Sequence, residues 1–134
     1  MSPPTDPARM HRYDEGSAAL AQAVFDYVAD RTQREVPLDG PRSAAELEAE
    51  VGGSVTAGGL GWEEALRRFT DVLAKATISM DHPLHLAYVP AAPTEAAVLF
   101  DLVVSASSIF GGSWQEGAGA VYAENQALAW LASL

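Results

Sequence analysis

The stretch Thr94–Phe110, "TEAAVLFDLVVSASSIF", decides how the rest of this chain is read. Turned at about 100° per residue, it places Val98, Leu99, Leu102, Val103, Ala106, Ile109 and Phe110 on one broad apolar face. Phe100 and Val104 fall outside that face, so mainly Asp101, Ser105 and Ser108 remain as a narrow polar strip. A helix apolar around most of its circumference needs cover on more than one side. It is too short, and too interrupted by Asp101, for that cover to be a lipid bilayer, so protein is expected.

Working outward, the remaining segments supply helices and no strand pattern. Ser17 to about Arg34 sets Leu20, Val24, Tyr27 and Val28 at helical spacing, preceded by residues 1–15, whose prolines and scattered charge suit a flexible arm. Ser43 and Glu46 form an S-x-x-E capping pair that opens a short helix ending by Gly52. The glycine-rich run "GGSVTAGGLG" could cradle a phosphate only between a strand and a helix; no strand precedes it, and a linker is the plainer reading. From Trp62, the positions Trp62, Leu66, Phe69, Val72, Leu73 and Ala76 recur on one stripe, with Glu63 and Glu64 in the first turn where the helix dipole favours acids. The last run, "GAGAVYAENQALAWLASL", carries Val121, Leu128, Leu131 and Leu134 on one side and has no cap or polar tail after Leu134. An all-α chain is expected. Each exposed Val, Leu or Phe forgoes roughly 1.5–3 kcal/mol of burial, so four uncovered side chains would rival the stability of a small domain. Residues 16–134 are therefore expected to form one helical segment of something larger.

Composition narrows the partners. The 134 residues are 49% hydrophobic and 19% charged, a globular composition, and 18 acids against 8 bases leave a net charge of −10. That charge repels a phosphate backbone and an anionic membrane alike, so neither nucleic acid nor membrane is an expected partner. The absence of cysteine excludes disulfides, thiolate metal sites and cysteine nucleophiles. The N-terminal "MSPPTDPARMHRYDEG" lacks the basic end and apolar run of an export signal, which makes the cytoplasm the expected location.

Candidate chemistry gathers in "DHPLHLAYVPAAPT", Asp81–Thr94. Asp81, His82 and His85 form a D-H-x-x-H cluster that could ligate a metal, but Pro83 favours extended backbone, on which residues three apart point to opposite sides. Either histidine could instead hydrogen-bond a substrate or cofactor, or serve structure alone. Ser113 in "GGSW" lies in a glycine-rich turn and lacks the G-x-S-x-G context of a nucleophile. Lys75, the only lysine, falls opposite the apolar stripe of its helix, in solvent, where nothing would lower its pKa for Schiff-base chemistry. Tyr88 lies between prolines in "AYVPAAPT", an extended segment entering a helix at Thr94. It could present a phenol and free amides to a small ligand, or simply pack its ring while the hydroxyl finds a carbonyl.

The sequence "HPLHLAYVPAAPTEAAVLFDLVVSASSIFGGSWQEGAGAVYAENQALAWL" resembles the N-terminal segment of the group II pyridoxal-phosphate decarboxylases, which act on aromatic amino acids, histidine and glutamate. The resemblance runs over about residues 16–134, loosely before Trp62 and closely from His82. It is carried by H-P-x-x-x-A-Y-x-P, a following helix, G-S-W, and a Glu and W-L at fixed spacing. It implies the helical N-terminal segment of a fold-type I enzyme that packs over the partner subunit of an intertwined homodimer, with pyridoxal 5'-phosphate as cofactor and an amino acid as substrate. By resemblance, Tyr88, Val89, Pro90 and Ala91 would line the substrate side of the cofactor site, and the loop around Phe110, Gly111 and Gly112 would reach toward the neighbouring subunit's active site. Aromatic-amino-acid decarboxylases tend to carry bulky residues where this chain has Val89 and Gly112, which implies a differently shaped pocket. The family's cofactor lysine, ring-nitrogen aspartate, stacking histidine and phosphate-binding turn have no counterpart among these residues, so the α/β cofactor domain is expected from another segment or subunit and the chain alone is expected to be inactive. The alternative is a non-catalytic helical interaction module that binds another protein through the Val98–Phe110 helix.

Overall fold

The computed structural model of the chain describes residues 12–89 and 92–134. Its elements are α1 (Glu15–Gln33), α2 (Ala44–Val51), α3 (Trp62–Asp71), a 3-10 turn (Leu73–Lys75), α4 (Glu95–Ala106) and α5 (Trp114–Leu131). Among the described residues there is no strand, in keeping with the all-α expectation. None of the described helices is long and apolar enough to cross a membrane. The helices fall into two compact units, Met1–Ala92 and Pro93–Leu134. Most of the expected N-terminal arm lies outside the described residues, while Asp14 and Glu15 already belong to the start of α1.

In the first unit, local chemistry sets the helix ends. The Asp14 carboxylate accepts the Ser17 N–H at 3.0 Å and caps α1. Leu20, Val24, Tyr27 and Val28 of α1 are half-buried, as their spacing predicts, and α1 packs against α3. Ser43 and Glu46 form the reciprocal box: the hydroxyl accepts the Glu46 N–H at 3.3 Å and the carboxylate accepts the Ser43 N–H at 2.8 Å. Gly52 ends α2 with φ 62°, a left-handed conformation that a side chain would resist.

The stripe expected to run unbroken from Trp62 to Ala76 is interrupted. Val72 leaves helical geometry at φ −121° and ψ −61°, and the chain tightens into the 3-10 turn. A β-branched residue is a weak helix former, and a 3-10 turn satisfies carbonyls that a helix end leaves open. The bend buries Val72 but leaves Phe69, on the same stripe, exposed.

Because apolar burial is slight, polar ties do much of the joining. The Arg68 guanidinium donates to the Val51 carbonyl at the C-terminus of α2, 2.8 Å away, and to Glu64 at 2.6 Å. A cation placed there also faces the negative end of the α2 dipole. Arg31 on α1 donates to Asp81 at 2.7 Å, and the buried Ser79 hydroxyl accepts the Asp39 N–H at 2.9 Å.

In the second unit, Thr94 caps α4 by accepting the Ala97 N–H at 3.3 Å. The helix stops at Ala106 rather than reaching Phe110. The Ser108 N–H donates to the Ser105 carbonyl and the Ile109 N–H to the Val104 carbonyl, at 3.2 and 3.3 Å. This double bond pattern closes a helix with a left-handed residue at its end, and that residue is Ser108 at φ 51°. Helix α5 starts three residues before the expected Gly117, because the Ser113 hydroxyl accepts the Glu116 N–H at 3.2 Å and donates to its carboxylate at 2.6 Å. Gly117 then interrupts the helix with φ −146° and ψ 23°. Apolar side chains remain uncovered on both helices, among them Phe100, 71% exposed, Val103, Tyr122 and Trp130.

Candidate functional site

The segment Asp81–Val89 is built from turns. The His82 N–H donates to the Ser79 carbonyl at 3.1 Å, and the His85 N–H to the His82 carbonyl at 2.8 Å. Pro83 occupies the second position of that latter turn, where its fixed φ is favourable. The expectation of extended backbone through Pro83 is thus corrected: the proline starts a turn, and His82 and His85 are its first and last residues. The His82 ring is engaged locally, its Nδ1 accepting the Leu84 N–H at 3.0 Å. Asp81 faces Arg31. Among the described residues no group of three or more His, Asp or Glu side chains gathers as a metal site.

His85 turns toward Tyr88 instead. The two rings stack with centroids 6.0 Å apart and planes 25° from parallel. Its Nε2 is buried with no hydrogen-bond partner, an arrangement that typically costs about 1–3 kcal/mol. Tyr88 departs from the extended backbone expected of it: its φ is 66°, in the left-handed region. For an aromatic residue that conformation costs on the order of 1–3 kcal/mol. The phenol is nevertheless 77% exposed, and Val89 beside it is also exposed. Pro90 and Ala91, expected on the same edge, lie outside the described residues.

Phe110, Gly111 and Gly112 form the connection between α4 and α5. The Phe110 ring lies over Gly112 so closely that a Cβ there would fall 2.3 Å from the ring. The Phe110 carbonyl oxygen sits where a Cβ on Gly117 would come within 2.5 Å, and Gly117 is buried. The approach at Gly117 requires glycine, because the atoms in the way are backbone, whereas the Phe110 ring over Gly112 is a side-chain tip that can turn aside. Ser113, weighed as a nucleophile, has its hydroxyl committed to capping α5, and no histidine occurs in Pro93–Leu134 to act as its base. Lys75 is exposed in the 3-10 turn. Tyr88 and Val89 belong to the first unit, and the Phe110–Gly112 connection to the second.

Two features of this region escaped sequence reasoning. The Ser113–Glu116 pair repeats the S-x-x-E signature of Ser43–Glu46, so its signal was present in the sequence. The Arg31–Asp81 pair spans fifty positions with no motif to announce it. No protein-family model, curated protein or solved structure matches this chain.

Proposed function

We propose that this chain is a helical component of a pyridoxal-phosphate-dependent amino-acid decarboxylase, contributing subunit contacts and one edge of the substrate site. The observation that carries the reading is the uncovered apolar surface of α4 and α5, where Phe100, Val103, Trp114, Tyr122 and Trp130 all stand exposed. Surface of that kind favours association with a partner chain. Its identity comes from the resemblance over His82–Leu131, and Tyr88, exposed and held in a strained conformation, is the residue offered to an amino-acid substrate.

The residues present do not fit the cofactor by themselves. The single lysine, Lys75, stands in solvent. The cofactor's amine, its phosphate cradle and its ring-nitrogen partner belong to the catalytic segment in this reading, whether that is joined to this chain or is a separate subunit. What this chain supplies is cover and shape.

The test begins with the coding sequence beyond Leu134 and the adjacent gene, one of which should encode a segment with a glycine-rich turn and a later lysine. Co-expressed with it, the chain should co-purify, and the assembly should release carbon dioxide from an amino acid, more slowly when Tyr88 is replaced by Phe. Absence of any such coding sequence, together with a monomeric chain that unfolds cooperatively on its own, would overturn the proposal. A second reading, a non-catalytic module that binds another protein through α4, is favoured by the exposure of Phe100 and Leu102 on different sides of that helix. It would be supported if the chain bound a partner with no decarboxylase activity and Tyr88→Phe had no effect.

A further inference from the structure

Two unfavourable features meet in one short turn. The His85 Nε2 is buried with no hydrogen-bond partner, and Tyr88, three residues on, holds a left-handed φ of 66°. A ring nitrogen kept from both water and protein is costly, and so is that backbone conformation for an aromatic residue. The two residues are also in contact, the phenol ring stacking on the imidazole.

The base of the turn is fixed from outside. Arg31 of α1 donates to Asp81, the Asp39 N–H donates to the Ser79 hydroxyl, and backbone bonds close the turns at 79–82 and 82–85. Strain persists only where its surroundings impose it, and these bonds hold the chain in place as far as the His85 N–H. From Leu86 to Val89 no hydrogen bond to another described residue follows, and the Tyr88 residue is 77% exposed. The imidazole thus sits on a fixed base, while the tyrosine against it is held by the ring contact. Rotation of Tyr88 to negative φ would relieve its backbone and carry the ring off the imidazole in one movement.

We infer that Tyr88 is a gate over His85: with φ at 66° its ring closes the imidazole off, and rotation about its own backbone uncovers Nε2 for a hydrogen bond to a small polar ligand. A ligand that meets only the uncovered imidazole shifts the turn toward its open form. The inference goes beyond the decarboxylase reading, in which Tyr88 alone met the ligand, because it depends only on the geometry of this turn.

The test uses the full chain and diethyl pyrocarbonate, which acylates an accessible neutral imidazole nitrogen, with peptide mass mapping to read each histidine separately. At neutral pH, His85 should react about tenfold or more slowly than in a synthetic peptide of residues 81–89, because only the open fraction reacts. Tyr88→Gly keeps a left-handed backbone without strain and removes the ring, so the His85 rate should rise to near that of the peptide. The His82 rate should stay as in the parent. Tyr88→Phe retains the ring and should leave His85 slow. His85 reacting in the parent as fast as in the peptide, staying slow in Tyr88→Gly, or becoming fast in Tyr88→Phe would each overturn the inference. A rise at His82 together with His85 in Tyr88→Gly, with helix content lost by circular dichroism, would show that the base of the turn is not fixed and would overturn it equally. None of these readouts involves release of carbon dioxide, so the inference and the decarboxylase reading fail separately.

Discussion

Replacing Gly117 and Gly119 with alanine, one at a time, should move the stability of α5 in opposite directions. At Gly119 an added Cβ meets nothing within 4 Å, and the position is helical, so alanine should gain the usual preference over glycine, about 0.5–1 kcal/mol. At Gly117 the same methyl falls 2.5 Å from the Phe110 carbonyl oxygen, 3.0 Å from its carbon and 3.2 Å from the Gly111 Cα. All three are backbone atoms, which cannot swing aside as a side-chain tip would. The residue is also outside helical geometry at φ −146° and ψ 23°, so the helix-forming preference of alanine gains nothing there. Overpacking against a fixed neighbour costs typically about 1–3 kcal/mol. The two variants should therefore differ by roughly 1.5–4 kcal/mol, from about tenfold to several hundredfold in the opening equilibrium of the helix. Amide hydrogen exchange across α5 reads that equilibrium directly, with slower exchange for Gly119→Ala and faster exchange near 113–121 for Gly117→Ala. Indistinguishable exchange in the two variants would refute the close approach of Phe110 to Gly117, and with it the geometry of the α4–α5 connection.

Acidification should loosen α3 through Glu64. Hydrogen bonds from Arg67, then Arg68, hold its carboxyl down to about 2 from an ordinary value of 4.5. A depressed carboxylate stabilises the fold fully above its unfolded pKa and loses that contribution as pH falls toward its folded pKa, so helix content should decline between about pH 4.5 and 2. Circular dichroism of Glu64→Gln should lack that component, and a parallel decline in the variant would remove Glu64 as its source. Ser108→Gly should stabilise the end of α4 by up to about 1 kcal/mol, because a left-handed residue is less strained as glycine. Thermal denaturation in which Ser108→Gly unfolds at or below the parent temperature would contradict the left-handed geometry at that position.

Legibility followed the range of the interactions. The capping of α2 by Ser43 and Glu46, the half-buried stripe of α1 and the start of α4 at Thr94 were all readable, because each depends on residues within one or two turns of each other. The candidate site was readable only as a list of residue types. The proline at position 83 suggested extended chain, yet it starts a turn, since the same fixed φ serves both conformations and the local sequence does not choose. The ends of α3 and α4 were over-extended for a related reason: an apolar stripe records which face seeks burial, not where the backbone stops being helical.

The residues by themselves determined an all-helical chain, the caps that open its helices, and an apolar excess on Thr94–Phe110 that this chain leaves exposed, for these follow from periodicity and short-range hydrogen bonding. Only the tertiary structure decided that Tyr88 is left-handed beside His85, that Arg31 reaches Asp81 across fifty positions, and that Phe110 folds back onto Gly112 and Gly117. Those contacts are set by where the backbone bends in three dimensions, and a bend brings together residues whose sequence neighbours carry no record of the meeting.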